Sequence, residues 1–342
     1  MNTTLQLNPM SLTLESNHVP FPDCPSNGAV LGLLACGFCG SDLDKLRHPK
    51  PGAILGHELV GEILALGIET KTTFPHFEIG QRVAVAHHVP CETCHYCVNE
   101  SPSMCAQFKA TNIYPSGFSE QIQISGQHLA HTTFILNEKT PTASATVIEP
   151  LACCLRAADR LPNLSNKTVA MIGLGFIGQL SSFALMRKKA KVYGLDLKPE
   201  RGELAKAQGW ITASESSPTI FSEFIRKETD GRGVDVVFLT VNTPSTLKQA
   251  FELLRNGGTV MIFAGSGGKP PQLDQDAIYH REITVMSSYS PSIKHLQQAN
   301  ELIQSGAIDV SPLLTETVRL ADLPQAIQRY ESGDVMKLVV TP

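Results

Sequence analysis

The sequence predicts a two-domain protein of α/β plus β class, in which a β-rich first half precedes a domain with a doubly wound parallel sheet. The first half consists of short apolar segments separated by glycine and proline, which is typical of strands. From about residue 151, strand-like runs alternate with helical ones, as in parallel sheets with crossover helices. A chain of 342 residues is also long enough for two domains.

Composition and charge narrow the classes of function. With 42% apolar and 18% charged residues, the chain is typical of ordinary globular proteins. A net charge of -4 without a long run of lysine or arginine excludes the basic face that nucleic-acid binding requires, so we expect a small-molecule substrate. The N-terminal segment has neither a basic leader nor an apolar run of bilayer length, which predicts a cytoplasmic protein without membrane attachment.

The β-rich half contains a loop with four closely spaced cysteines. Segments at 28–37, 58–67, 81–89 and 118–125 predict strands of a barrel or sandwich. Between the last two, Cys91, Cys94, Cys97 and Cys105 follow the pattern C-x2-C-x2-C-x7-C. Four thiolates at this spacing can surround one ion, and four unrelated thiols are disfavoured in a chain of this kind. Because the four cysteines would fill all four coordination positions of the ion and leave none open for a substrate, the loop at about 91–105 predicts a structural zinc site.

The segment from Cys36 to Glu58 carries a second set of potential ligands. Catalytic zinc takes three protein ligands from cysteine, histidine and carboxylate, with a fourth position left open. Cys39, His57 and Glu58 are the local candidates. Cys36 and Cys39 also form a C-x-x-C, a second possible chelating pair. The remaining thiols are interpreted as packing or incidental residues, with Cys36 the least certain: Cys24, Cys36, Cys153 and Cys154.

A glycine motif in the second half predicts a dinucleotide site. The apolar run Val169–Ile172 predicts a strand, and G-x-G-x-x-G follows it and opens a helix. Asp196, at the end of the next strand, would bind the adenosine ribose hydroxyls and repel a 2′-phosphate, which favours NAD over NADP. Lys198 and Arg201 keep NADP possible but secondary. The candidate cofactor-binding residues are Gly173, Gly175, Phe176, Ile177, Gly178, Asp196 and Arg201.

The motifs together resemble the zinc-containing medium-chain dehydrogenase/reductase family. They are CGSD, GHE, the four-cysteine loop, EPLA, GLGFIG and the closing KLVVTP, in family order along essentially the whole chain. Within that family, the combination of motifs is most similar to those of sorbitol and threonine dehydrogenases. The resemblance implies a GroES-like catalytic domain at 1–150, a Rossmann NAD-binding domain at 151–292 and a return to the catalytic domain at 293–342. It also implies a homodimer or homotetramer, formed through ITVMSSYS, and two zinc ions per chain.

The resemblance also implies roles for individual residues. Cys39 and His57 match ligand positions for catalytic zinc, and Glu58 matches a carboxylate that is a ligand or an exchangeable neighbour. Glu149 matches either a third ligand or a carboxylate holding the zinc-bound water, and which glutamate touches the ion stays open. Asp42 matches a carboxylate that orients the ligand histidine, although it could instead cap a helix.

A proton relay is the other expectation from the family. Zinc lowers the pKa of the substrate hydroxyl, and hydride passes to the nicotinamide. Ser41 stands where relatives place a hydroxyl that accepts the alcohol proton. Many relatives end the relay in a histidine, where this chain has Asp44, so the relay ends in Asp44 or in water, with His48 nearby in sequence.

The substrate is only broadly indicated. A carboxylate-rich zinc shell resembles that of polyol dehydrogenases more than the Cys2His shell of alcohol dehydrogenase. His87 and His88 are expected to be structural rather than metal-binding. The alternatives to an NAD-dependent oxidoreductase of a polyol, sugar or amino alcohol are a biosynthetic NAD(P)H-dependent carbonyl reductase and a non-catalytic sensor. Several side chains fall near family positions that can face the substrate: Leu43, His48, Tyr114, Phe118 and Tyr289.

Overall fold

The computed structural model describes residues 1–8, 13–50, 53–266 and 272–342. The strands in this part of the chain are β1 Asn2–Asn8, β2 Thr13–Val19, β3 Ala29–Phe38, β4 Glu58–Leu66, β5 Arg82–Ala86, β6 Gln121–Ile124, β7 Thr133–Ile135, β8 Thr168–Ile172, β9 Lys191–Leu195, β10 Ala213–Glu215, β11 Val234–Leu239, β12 Leu254–Ile262, β13 Thr284–Ser287, β14 Glu316–Arg319 and β15 Leu338–Thr341. The α-helices are α1 Gly40–Arg47, α2 Ile68–Thr73, α3 His95–Val98, α4 Ala106–Ala110, α5 Gly126–His131, α6 Thr142–Ala145, α7 Ile148–Arg160, α8 Phe176–Arg187, α9 Pro199–Ala207, α10 Pro218–Glu228, α11 Pro244–Leu253, α12 Gln275–His280, α13 Ile293–Gln304 and α14 Leu323–Glu331.

The chain divides into two units. Unit 1 comprises Met1–Ala152 and Pro291–Pro342, and unit 2 comprises Cys153–Ser290. The C-terminal segment therefore belongs to the same unit as the N-terminal half.

Unit 1 is built on a mixed, mostly antiparallel sheet. Its strands follow the order β14-β15-β3-β4-β5-β7, with β6 also paired to β3. The long strand β3, AVLGLLACGF, is buried along most of its length because β4, β6 and β15 all pair with it. The core beside it includes Phe38 and Phe118, whose ring centroids lie 6.1 Å apart.

Unit 2 contains a six-stranded parallel sheet. Its strand order is β10-β9-β8-β11-β12-β13, so the chain starts in the middle, builds to one edge and then to the other. This is the order of doubly wound nucleotide-binding folds. The central strand β11 is buried at all six positions, as a strand covered on both faces requires. The predicted combination of a β-rich domain and a doubly wound parallel-sheet domain is confirmed.

The described helices include none that is both long and apolar enough to cross a membrane.

Candidate active site

Strand register brings the three local metal-ligand candidates together in unit 1. Strand β3 ends at Phe38, so Cys39 stands at the first turn of α1. Gly37 near the end of β3 pairs with Glu58 at the start of β4, and His57 immediately precedes that strand. As a result, one potential ligand atom from each of Cys39, His57 and Glu58 lies within 4.8 Å of the other two.

His57 is oriented by two neighbours. Its ring is 6% exposed, with Nδ1 lying 3.3 Å from Asp42 Oδ1 and Nε2 lying 3.4 Å from Ser41 Oγ. Burial opposes protonation, but the charge and contact of Asp42, assisted by Cys39, outweigh it and raise the pKa of His57 well above its usual value. Because Nδ1 faces the Asp42 carboxylate, Nε2 is the nitrogen that can bind a metal.

Asp42 contacts His57, the backbone at the start of α1 and the Gly56 backbone. It is fully buried in α1, where Oδ2 accepts from the Cys39 backbone N–H at 3.1 Å and Oδ1 accepts from the Gly56 N–H at 3.0 Å. Burial raises the pKa of this carboxyl, but His57 and the hydrogen bonds outweigh burial, so the pKa lies below its usual range. The carboxylate thus ties the start of α1 to the loop that carries His57.

Glu58 is held by a lysine that lies 279 residues further along the chain. Its Oε2 forms an ion pair with Lys337 Nζ, and both side chains are at most 2% exposed. Lys337 also donates to the Phe38 carbonyl at 3.0 Å. Strand β15 begins immediately after Lys337 and pairs with β3, which explains how the lysine arrives here. A Cβ on Gly37 would lie 1.9 Å from Glu58 Oε2, so any larger residue would displace the Glu58 carboxylate from this position.

The donor set fits a zinc ion. Glu58 Oε1 and His57 Nδ1 are buried without a hydrogen-bond partner in the described structure, and Nδ1 instead faces the Asp42 charge. A buried carboxylate oxygen without a hydrogen-bond partner is costly unless a cation or a water satisfies it. Thiolate, imidazole and carboxylate are the ligand types of catalytic zinc.

Glu149 lies apart from this three-residue cluster. It is 8% exposed near the start of α7 and lines the same small cavity in unit 1 as Glu58. The two carboxylates share a cavity wall, but the cluster of close ligand atoms consists of Cys39, His57 and Glu58.

The four-cysteine loop forms a second cluster of ligand atoms. The sulfurs of Cys91, Cys94, Cys97 and Cys105 lie within 4.8 Å of one another. The backbone N–H of Cys94 donates to the Cys91 sulfur at 3.3 Å. Hydrogen bonds from the backbone and side chain of Thr93 are the main cause that lowers the pKa of Cys91 to about 6. Burial and the adjacent thiols raise the pKa of Cys97 to about 12. A divalent cation bound by the four sulfurs would stabilise all four cysteines as thiolates.

The remaining cysteines do not join either cluster. Cys36 is fully buried in the core of unit 1, and burial raises the pKa of its thiol well above the usual value. Cys36 and Cys39 therefore do not act as a chelating pair. The structure describes all nine cysteines, and none of them forms a disulfide.

Asp44 contacts His48, a residue whose position the sequence did not predict. Its Oδ1 lies 3.1 Å from His48 Nδ1, one helical turn further on, and both side chains are more than half exposed. Asp44 is thus a carboxylate paired with a histidine that lies just after α1.

His87 and His88 follow strand β5 and differ in their surroundings. The ring centroids of His57 and His87 are 5.0 Å apart, and those of His87 and His88 are 3.8 Å apart. His88 Nδ1 donates to the Thr111 carbonyl at 2.6 Å; burial outweighs that bond and lowers the pKa of His88 to about 4. Neither residue belongs to a metal-ligand cluster in the described structure.

The side chains expected near the substrate have different environments. Phe118 lies in the core at 0% exposure, so it does not face a site. Leu43 packs against the same core, whereas Tyr114 and Tyr289 are exposed. Whether such a side chain is buried or exposed depends on how distant segments pack together, which the sequence pattern does not show.

The glycine motif of unit 2 forms the predicted strand-to-helix turn. Gly173 follows β8 with φ of +93°, and α8 begins at Phe176. A Cβ on Gly178 would lie 1.9 Å from the Gly173 carbonyl oxygen, so the close approach of turn and helix requires glycine. Backbone N–H groups at the start of such a helix can bind a pyrophosphate, and Phe176, Ile177 and Gly178 carry them.

Asp196 lies directly beyond β9 and contacts this turn. Its Oδ2 accepts from the Leu174 N–H at 2.7 Å, and Oδ1 accepts from the Lys198 N–H at 2.9 Å. Arg201 Nη1 lies 3.5 Å from Oδ2 and would be 3.8 Å from a Cβ on Gly175. Each carboxylate oxygen has two lone pairs, so Asp196 retains capacity for ribose hydroxyls.

Comparisons with known proteins identify the class. Residues 26–133 match the alcohol dehydrogenase GroES-like domain, and residues 177–305 match the zinc-binding dehydrogenase domain. The chain is 27% identical to sorbitol dehydrogenase of Bacillus subtilis, covering 100% of this chain and 97% of that protein. It is 25% identical to L-galactonate-5-dehydrogenase of Escherichia coli, covering 100% and 99%.

A solved structure agrees with the fold. A protein from Sinorhizobium meliloti 1021, described as a zinc-binding dehydrogenase and bound to NADP, superposes with a TM-score of 0.86 at 23% identity, covering 100% of this chain and 99% of that one. The two domain types and the ligand clusters define a zinc-dependent alcohol oxidoreductase. The chain belongs to the zinc-containing medium-chain alcohol dehydrogenase family, which confirms the resemblance of its motifs.

Proposed function

We propose that this enzyme uses NAD to oxidise a secondary alcohol of the polyol, sugar or amino-alcohol type. The cluster of Cys39, His57 and Glu58 is the observation that carries the proposal, because it combines three zinc-ligand types with a buried carboxylate oxygen that lacks a hydrogen-bond partner. The names of the relatives from B. subtilis and E. coli support a polyol or sugar acid as substrate.

Two metal sites follow from the two clusters. Cys39, His57 and Glu58 would hold the catalytic zinc, and Glu149, which lines the same cavity as Glu58, would either be a further ligand or hold the zinc-bound water. Four thiolates, Cys91, Cys94, Cys97 and Cys105, would hold a structural zinc with no open position.

The residues around the catalytic cluster would handle the substrate proton. When bound, zinc would act as a Lewis acid on the substrate oxygen and NAD would accept the hydride. Ser41 Oγ, which lies 3.4 Å from His57 Nε2, is placed to accept the hydroxyl proton. Asp44 and His48 form an exposed pair on the same helix and would pass that proton to water.

The cofactor would bind in unit 2. The helix start at Phe176, Ile177 and Gly178 would hold the pyrophosphate, and Asp196 would accept from the ribose hydroxyls. Arg201 beside Asp196 is the one observation that favours the second candidate, an NADP-linked carbonyl reductase, because its guanidinium could bind a 2′-phosphate.

We further propose a cytoplasmic homo-oligomer. Residues 1–150 with 293–342 would form the catalytic domain, and residues 151–292 would form the cofactor domain. Strand β13 lies at one edge of the unit 2 sheet, with β12 as its neighbour on one side. An edge strand with free backbone groups can pair with a second copy of the chain, giving a dimer or tetramer.

The proposal is tested by following NADH or NADPH absorbance with zinc-loaded protein and a panel of polyols, aldoses, L-threonine and simple secondary alcohols. We expect turnover that prefers NAD and a polyol or sugar substrate. Turnover confined to NADPH and carbonyl compounds would favour the reductase instead.

Metal analysis tests the sites without relying on activity. We expect about two zinc ions per chain in the wild type and about one in Cys39→Ser. The control is Cys24→Ser, which changes an exposed thiol outside both clusters and should leave the count unchanged. An unchanged count in Cys39→Ser would contradict the assignment of the catalytic site.

A further inference from the structure

His128 is a buried histidine whose two ring nitrogens are both hydrogen-bonded. It lies in the short helix α5 and is 1% exposed. Its Nε2 lies 3.0 Å from the His87 carbonyl oxygen. Its Nδ1 lies 3.3 Å from the Ser125 backbone nitrogen and 2.8 Å from the Ser125 hydroxyl oxygen. Because strand β5 ends at Ala86, the ring joins the first turn of α5 to the residue that follows this strand.

The partners of His128 require the neutral form of its ring. A carbonyl oxygen can only accept, so Nε2 carries the hydrogen that is donated to His87. A backbone N–H can only donate, so Nδ1 accepts from Ser125 and carries no hydrogen. Burial also favours the neutral form, because it outweighs the bond to the His87 carbonyl and lowers the pKa of His128 below its usual value.

Protonation of His128 would place two donors against each other. A hydrogen on Nδ1 would face the Ser125 N–H, so one of the two reciprocal bonds of the capping box that begins α5 would be lost. The titratable groups that face the ring from outside α5 are His87 and His88, which would repel an imidazolium if they were charged. Among the described contacts of His128 there is no carboxylate that would stabilise an imidazolium.

The other bonds between the end of α5 and its neighbours do not titrate in this pH range. The Ala86 N–H donates to the Thr132 carbonyl, and the Thr132 hydroxyl donates to the Ala86 carbonyl, each at 3.0 Å. The Thr133 hydroxyl donates to the His128 carbonyl at 2.9 Å. Within this group of contacts, the His128 ring is therefore the part that responds to pH.

We propose that His128 is a pH-sensitive switch, which holds the segment 125–131 against the end of strand β5 at neutral pH and releases it when the ring is protonated. In the closed state the ring is buried and neutral. In the open state the ring reaches water and takes up a proton below the ordinary histidine pKa of about 6.5. Local opening of this segment therefore becomes more favourable as the pH falls below about 6.5. The switch is independent of the reaction that the enzyme catalyses.

Hydrogen exchange measured by mass spectrometry on peptides that cover residues 125–131 tests the switch in the zinc-loaded protein. After division by the intrinsic exchange rate at each pH, the open fraction of the wild type should rise several-fold, to a limit of about tenfold, from pH 7.5 to pH 5.5. His128→Gln keeps one donor and one acceptor but does not titrate, so its open fraction should be equal at the two pH values. The matched control is His131→Gln, the same change at an exposed residue of α5, which should behave like the wild type.

Two outcomes would overturn the role of His128. One is an open fraction in the wild type that is the same at pH 7.5 and pH 5.5. The other is an equal rise in His128→Gln, which would assign the pH dependence to another group. Should His128→Gln not fold, the wild type supplies its own comparison, because the rise should be present at residues 125–131 and absent from peptides that cover strand β11 in unit 2. A rise of the same size in β11 would reject a local switch.

Discussion

Replacement of Lys337 by methionine tests the buried ion pair between Lys337 and Glu58, which is one of the three candidate metal ligands. The ammonium group is paired with Glu58 Oε2 and donates to the Phe38 carbonyl at 3.0 Å, with both charged side chains at most 2% exposed. Methionine has a similar length but no charge, so the substitution leaves Glu58 buried with an uncompensated charge. Removal of one partner of a buried ion pair costs about 3–5 kcal/mol. In a protein whose domains are typically stable by about 5–15 kcal/mol, this loss is large.

The loss of unfolding free energy in Lys337→Met should be smaller in zinc-loaded protein than in zinc-free protein. If Glu58 Oε1 binds the ion, zinc supplies the positive charge that Lys337 no longer provides. We therefore expect a loss of about 3–5 kcal/mol in zinc-free protein and a loss smaller by at least about 1 kcal/mol in zinc-loaded protein. The structural zinc contributes to wild type and variant alike, so it cancels from this comparison.

Urea unfolding followed by circular dichroism provides the measurement. The only tryptophan, Trp210, lies in unit 2, so its fluorescence does not report on unit 1. The control is Lys248→Met, which removes a lysine that is 81% exposed and pairs weakly with Glu252, and it should change the free energy of unfolding by less than about 0.5 kcal/mol. Equal losses with and without zinc would refute the contact between Glu58 and the ion. A loss below about 1 kcal/mol in zinc-free protein would refute the buried pair itself.

Three further predictions concern other residues. Burial raises the pKa of Asp235, but hydrogen bonds from Thr168 and Arg255 outweigh burial and lower the pKa to about 2, so the contribution of this carboxylate is present above pH 4 and is lost as the pH falls through 2; Asp235→Asn should cost about 1–2 kcal/mol at pH 7 and roughly a third of that near pH 2.5, measured by urea unfolding at both pH values. Asp196→Asn should raise the preference for NADP over NAD at least about tenfold in kcat/KM, because it removes the charge that repels a 2′-phosphate; an unchanged ratio would mean that Asp196 does not contact the ribose. Ser41→Ala should lower kcat by about 10²-fold while the Kd for NADH, measured by fluorescence titration, stays the same, and a normal kcat would exclude Ser41 from proton removal.

Local sequence patterns were sufficient for the parts of the site that are local in the chain. The four cysteines fall within one loop of fifteen residues, from Cys91 to Cys105, so their spacing alone predicts that their sulfurs converge. The glycine turn of unit 2 was equally predictable, because strand, turn and helix are consecutive. Cys39 and Glu58 are separated by a helix and a loop, and they meet because β3 and β4 pair as neighbours.

The sequence could not reveal residues that depend on long-range register. Lys337 is an isolated lysine before an apolar strand, and no spacing connects it to Glu58; only the pairing of β15 with β3 does so. Gly37 carried no signal for the same reason, since its role is to let the Glu58 side chain pass.

Charge balance explains why these residues belong together. With Cys39 as the thiolate that metal binding requires, the cluster has two anionic ligands, Cys39 and Glu58, and the charges of the buried neighbours Asp42 and Lys337 cancel. Two negative charges are then uncompensated, and one divalent ion would neutralise them. Without the ion, the raised pKa of His57 indicates that a proton takes part of that role. If a divalent cation balances the site, loss of the substrate proton adds a negative charge there, and we propose that this proton leaves for water through the exposed pair of Asp44 and His48.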